Sequence, residues 1–213
     1  FGGTFDCAMK CIEAEEEEPS KSKENFLQLS CFINQEVKYM NSGLRLRLNE
    51  QLTKRSATLD RDAVYTKQSL ISRLPAYLTI NFVRFQYKGK EGINAKVLKD
   101  IKFPIEFDSF DLCAPELQEK LIPMRNKFKE LEDAAVLEKD KIKSKNDKVV
   151  EKKKKALPYS FENDTGSNNS GFYTLQAVLT HQGRSSSSGH YVGWVRHKGD
   201  DWFKFDDDTV TPV

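Results

Sequence analysis

The chain has 213 residues, 38% of them apolar and 31% charged, with a net charge of +2. That is enough apolar material for one large packed domain, and a charge balance that argues neither for nor against nucleic acid. No apolar run reaches the length of a bilayer-spanning helix, no targeting pattern is visible, and four cysteines fit reduced cytoplasmic thiols better than a disulfide scaffold.

Phe1 to Ile12 alternates well enough for a strand, and Glu13 to Lys23, acidic then basic, reads as a polar link. β character resumes from Phe26 to Tyr39. Leu44, Leu46 and Leu48 alternate with Arg45 and Arg47, which predicts a half-buried strand, and the polar stretch after them shows little periodicity. Tyr77 to Tyr87, behind Pro75, predicts the strongest buried strand of the chain. Gly89 and Gly92 mark a loop, and one or two short strands follow around Pro104. Pro115 opens a helix with Glu116 and Glu119 near its start, and Pro123 is expected to kink or interrupt it.

Residues 130–156 are almost wholly charged and read as a solvated helix or a disordered insertion. A nucleic-acid-binding arm is the sharper reading, weakened by the interleaved Glu138, Asp140, Asp147 and Glu151. From Leu157 folded character returns, and a Gly/Asn/Ser loop feeds the strand YTLQAVLTHQG, apolar enough to be central. Many strands with one helical insertion predict an α+β fold, mostly antiparallel. A start at Phe1 without Met and a stop just after a Thr-Pro turn signal lead us to expect an internal piece of a longer protein.

The most informative stretch lies near the end. HYVGWVRH and DWFKFD alternate, are rich in aromatic and β-branched residues, and flank a turn-like KGD, so they predict a β-hairpin. A register centred on Lys198 sets Trp194 opposite Trp202, Tyr191 opposite Phe205 and His190 opposite Asp206. A histidine beside a carboxylate is the base and orienter of a nucleophilic site; the bland alternative is a surface pair. In that chemistry Asp206 accepts from Nδ1–H of His190 and leaves Nε2 to take a thiol proton. None of the four cysteines has a convincing setting for the thiol: Cys7 and Cys31 fall in strands, and Cys113 precedes the helix in a charged, peripheral region. The nucleophile is therefore expected elsewhere. Metal binding is the other candidate, but Cys7 and Cys11 form one imperfect pair, Cys31 stands alone, and His181 and His197 read as core or surface histidines. No metal and no cofactor are expected.

Taken together, LTHQGRSSSSGHYVGWV and WFKFDDDTV resemble the carboxyl-terminal His box of the ubiquitin-specific proteases. SRLPAYLTINFVRFQY resembles a central strand of that family, and FGGTFDCAMKC with SCFINQEV resembles the two arms of its fingers. The resemblance implies a papain-like cysteine-protease fold, with residues 1–213 forming the carboxyl-terminal part of one catalytic domain: approximately 1–60 fingers and 61–213 palm, interrupted by the charged insertion 130–156. It implies His190 as catalytic base and Asp206 as its orienter, with Ser185, Ser186, Ser187, Ser188, Gly189 and Tyr191 lining the channel for ubiquitin's carboxyl-terminal tail. The family's amino-terminal Cys box and its oxyanion-hole Asn are absent, and so are the paired C-x-x-C zinc ligands of many members, which implies metal-free fingers.

The implied activity is thiol-dependent hydrolysis of the isopeptide or peptide bond after ubiquitin's last Gly, to which this stretch contributes the His and Asp but not the Cys. The alternative is a non-catalytic ubiquitin-binding module. Implied partners are ubiquitin, its conjugates and, because ELQEKL, INAKVLKD and THQGRSSSSGHYV sit nearest the proteasome-associated branch of the family, the proteasome regulatory particle. No nucleic acid and no membrane are expected, and the location is cytoplasmic, with the nucleus as a second compartment.

Overall fold

Strand β1 (Gly3–Cys11) buries Gly3, Cys7 and Cys11 on one face, as a period of two requires. In the computed structural model, which describes residues 1–89, 92–143 and 157–213, it lies inside a four-stranded antiparallel sheet. Its neighbours are β2 (Ser20–Phe26) and β5 (Arg61–Arg73), and β4 (Asn49–Ser56) closes the far edge. The last four residues of the expected polar link after Ile12 are thus strand: Lys21 and Lys23 pair with Ala8 and Asp6 on an exposed sheet edge, where charge is tolerated. Likewise, β4 and β5 occupy the stretch that showed no periodicity. β5 does alternate, burying Ala63, Tyr65, Ser69 and Ile71, but small and polar residues at inward positions hide the pattern.

The Leu/Arg alternation at residues 44–48 belongs to a helix, not a strand. Helix α1 (Met40–Leu48) buries Met40, Gly43, Leu44 and Leu48, a three-and-four spacing, and leaves Leu46 exposed. It crosses β3 (Leu29–Phe32) closely, since a Cβ on Gly43 would stand 2.5 Å from Cys31 Sγ. Nor is Tyr77–Tyr87 one buried strand. It divides into β6 (Ile80–Val83), parallel to β3, and β7 (Phe85–Lys88), antiparallel to β8 (Ile93–Lys96). Arg84 sits at the break and donates to the carbonyls of Val97 and Lys99, so the chain changes partners there. Tyr77 and Tyr87 are exposed.

The main core joins α1, β3 and β5 to helix α2 (Pro115–Lys143) through Leu29, Leu44, Ile71, Leu74, Leu117 and Leu121. α2 runs through Pro123 without interruption. Leu121 and Met124 anchor it on the core side, while Pro123 lies on the exposed face, where the carbonyl it frees can meet water. The charged insertion is helical to Lys143; residues 144–156 lie outside the described residues. A short ribbon of β9 (Glu106–Asp108) and β10 (Phe172–Thr174) is held to α2 by Arg125, which pairs with both carboxylate oxygens of Asp108 between the rings of Phe110 and Phe172.

The last unit is a four-stranded antiparallel sheet, in order β11 (Ala177–Gln182), β12 (His190–Lys198), β13 (Asp201–Asp206) and β14 (Thr209–Pro212). β11 was expected to be central and is instead an edge strand among the described residues. Its apolar side faces a cleft of about 3400 Å³ rather than a packed layer, and Leu179 is exposed. Phe85, Phe103, Phe128 and Phe172 also line that cleft. Among the described residues strands predominate, mostly antiparallel, with two α-helices, as an α+β class requires. No helix among the described residues is long and apolar enough to cross a membrane.

Candidate active site

The hairpin at the carboxyl end forms with a shifted register. Arg196 faces Trp202, Trp194 faces Lys204 and Gly193 faces Phe205, two residues away from the alignment centred on Lys198. The turn lies at Gly199–Asp200, where Gly199 has φ +60°, and alone would slip the pairing by three; one extra residue, His197, bulged out between the Arg196 and Lys198 pairs, takes one back. Because side chains alternate with period two, a shift of two keeps every residue on its face. Continuing the pairing by one step sets Asp206 opposite Val192, so His190 meets Asp206 diagonally rather than directly.

They do meet. His190 Nε2 lies 2.5 Å from Asp206 Oδ1. The nitrogens are reversed from expectation: Asp206 takes Nε2, leaving Nδ1 as the free face. The carboxylate's other oxygen, Oδ2, accepts from Lys204 Nζ at 2.6 Å. Lys204 first and His190 second hold the Asp206 carboxyl below its ordinary value, so it stays anionic. Asp206 closes β13 and pairs with Thr209 across a tight turn in which Asp207 takes φ +51°, a conformation short Asp side chains tolerate. A fixed turn therefore delivers the carboxylate.

The serine loop before His190 folds on itself. Ser185 Oγ bonds Ser187 Oγ at 2.9 Å and accepts from Ser187 N–H, a local turn on the exposed surface. Ser186 and Tyr191 line the large cleft. Gly189 packs against the ring of His181, and the Tyr191 ring lies tilted against the same ring with centroids 4.6 Å apart. Lys204, His181 and Lys96, which reaches His181, were not anticipated. Alternation alone places Lys204 beside Asp206 on the same face and could have found it.

All four thiols are buried and free. Cys113 is not peripheral: it packs in the main core, where burial pushes it up to about 12, and burial likewise pushes Cys31 up to about 11. Cys11 sits with Ala63 and Tyr65 in a satellite cluster, and Cys7 touches Ser69 Oγ. None of the four thiols is open to a substrate.

A hydrogen-bonded His–Asp pair with one imidazole nitrogen left open is equipped to move a proton for a nucleophile brought to it. A family model described as "Ubiquitin carboxyl-terminal hydrolase" matches residues 1–213. The chain belongs to this family. It is 46% identical over 211 residues to ubiquitin carboxyl-terminal hydrolase 14 of Caenorhabditis elegans, covering 96% of the chain and 42% of that relative. To ubiquitin carboxyl-terminal hydrolase 6 of Schizosaccharomyces pombe it is 41% identical over 231 residues, covering 100% of the chain and 49% of the relative. The chain thus spans about half the length of the curated hydrolases it matches. Among solved structures, its fold matches the SAGA Ubp8/Sgf11/Sus1/Sgf73 DUB module bound to ubiquitin aldehyde with a TM-score of 0.61 at 18% identity, covering 100% of the chain and 37% of that chain. The ubiquitin-specific protease fold is therefore the fold of this hydrolase-family chain.

Proposed function

We propose that these residues are the fingers and palm of a thiol-dependent deubiquitinase that cleaves the bond after ubiquitin's carboxyl-terminal Gly. The observation that carries the reading is the contact between His190 Nε2 and Asp206 Oδ1, in a chain whose whole length matches a ubiquitin hydrolase family. Asp206 holds the imidazole with its Nε2–H donated, so Nδ1 is unprotonated and able to accept a thiol proton. The thiolate, supplied by the full-length protein rather than by Cys7, Cys11, Cys31 or Cys113, attacks the Gly carbonyl carbon. The His190 imidazolium then returns the proton to the leaving amine, and water cleaves the thioester. Ser185, Ser186, Ser187, Ser188, Gly189 and Tyr191 border the path of the substrate tail. No metal or cofactor enters this chemistry, and residues 1–60, approximately, serve as fingers without zinc. Ubiquitin conjugates are the substrates. The likeness of several segments to the proteasome-associated branch supports the proteasome regulatory particle as partner, in the cytoplasm and the nucleus.

The test is release of a fluorophore from ubiquitin's carboxyl terminus by the full-length protein. Turnover lost on His190→Ala, with ubiquitin affinity kept, is the expected result. Ubiquitin binding without any turnover in the unmodified protein would favour the non-catalytic module instead.

A further inference from the structure

His181 and Lys96 take part in none of the chemistry above, yet the residues on both sides of His190 rest on them. His181 pairs with Tyr191 across β11 and β12, and their rings lie 4.6 Å apart. On the other side, Gly189 lies so close to the same ring that a Cβ there would stand 2.1 Å from His181 Nε2. Only glycine fits, and its φ of +149° is one that side chains avoid. The loop's other end closes the neck: a Cβ on Gly183 would stand 3.0 Å from Gly189 Cα and 3.2 Å from His181 Cε1. Both ends of the serine loop thus converge on one imidazole.

Lys96 holds that imidazole in place. From the end of β8 its Nζ donates to the carbonyl of His181 at 2.7 Å and to that of Gly183 at 3.1 Å, and it meets His181 Nδ1 at 3.2 Å. An ammonium has no lone pair to offer, so Nδ1 must accept and Nε2 carries the ring hydrogen. That Nε2 is buried and has no partner among the described residues. The ring is therefore placed by Lys96 and by the flanking Phe85 and Tyr191 rings, at the expense of one donor.

We propose that Lys96 and His181 are positioning residues for His190: Lys96 fixes the ring of His181, and that ring sets where Gly189 and Tyr191 lie, hence where the imidazole between them points. The inference rests on the catalytic reading of His190. A displacement of about 1 Å at such a base lowers turnover roughly a hundredfold, so a loosened support should be visible in kcat.

The experiment uses the full-length protein, with ubiquitin–fluorophore kinetics and the 1H–15N resonances of labelled histidines, His190 being assigned by its loss in His190→Gln. Lys96→Met and His181→Ala should each lower kcat about tenfold or more with KM little changed, and each should move the His190 Nε2–H resonance away from its Asp206-bonded position. Lys96→Arg, which keeps donors for the two carbonyls, should restore most of the rate. A His190 resonance unmoved in both folded variants overturns the proposal, as does a rise in KM with kcat unchanged, which would make Lys96 a substrate contact. If the unmodified protein shows no turnover while the resonance still moves in both variants, the catalytic reading fails and the positioning stands.

Discussion

His190 offers Asp206 its Nε2 and keeps Nδ1 free, with 2.5 Å between Nε2 and Oδ1. The geometry decides which nitrogen does the work. Asp206→Asn in the full-length protein removes the charge that favours the imidazolium, and should lower kcat about a hundredfold or more with ubiquitin affinity unchanged. Near-normal turnover would show that Asp206 is not the orienter.

Lys204 tunes the same carboxylate. Its ammonium is the largest influence holding Asp206 below the ordinary value, ahead of His190. In Lys204→Met, Asp206 should therefore protonate at a higher pH, read from its carboxyl 13C shift across an acid titration. An unmoved titration would show that His190 alone keeps Asp206 ionised.

By itself the 213-residue chain should not hydrolyse ubiquitin conjugates. Its thiols are buried, and those of Cys31 and Cys113 are pushed up to about 11 and about 12. A chromogenic disulfide reagent should find almost no reactive thiol in the native chain at neutral pH and all four after denaturation. Fast labelling of one cysteine in the folded chain, with turnover that disappears when it is changed to Ser, would place the nucleophile within these residues.

How much of this was legible beforehand depends on which level carried the information. The terminal hairpin was readable because its alternation is strong and its turn carries Gly199; only its register slipped, because the turn sits at Gly199–Asp200 rather than on Lys198 and a bulge at His197, whose backbone geometry has no sequence signature, takes back one position. The helix at Met40–Leu48 was missed because a Leu/Arg alternation outweighed the spacing of Met40, Leu44 and Leu48, which only the packing against β3 selects. β5 was missed because Ala63 and Ser69 do not look like core residues until Cys11 and Cys7 are laid beside them. Lys96 and His181 are 85 residues apart, and no local pattern joins them.

The acidic link after β1 predicts a pH dependence. Glu13 accepts from the Val64 N–H and from Arg61, and Glu17 accepts from Tyr65 and Ser56, clasping the tip of the first sheet. These bonds, with Val64 first for Glu13 and Tyr65 first for Glu17, hold both carboxyls below their ordinary 4.5. A carboxyl lowered in the folded state binds fewer protons there than in the unfolded chain, so its stabilisation is complete above the ordinary value and is lost as pH falls through the folded one. Glu17→Gln should lower the melting temperature at neutral pH and leave it unchanged well below the ordinary carboxyl range. An equal loss at both pH values would mean that the clasp acts through shape rather than charge.

Gly43 sets two effects of opposite sign against each other. Alanine in a helix interior is favoured over glycine by about 1 kcal/mol. At Gly43 the new Cβ would stand 2.5 Å from Cys31 Sγ and 2.6 Å from the carbonyl oxygen of Phe32, with Cys31 fully buried. The sulfur can rotate only into a filled core, and the oxygen belongs to the backbone of β3, which pairs with β6. Overpacking of this kind costs about 1–3 kcal/mol and more when backbone must move, so the steric effect outweighs propensity. Gly43→Ala should be destabilised by about 1–2 kcal/mol net, seen as a lower urea midpoint at unchanged slope, and Gly43→Val by more. A raised midpoint for the alanine variant would mean that α1 can lift from β3 at little cost, and that the close approach does not define this part of the core.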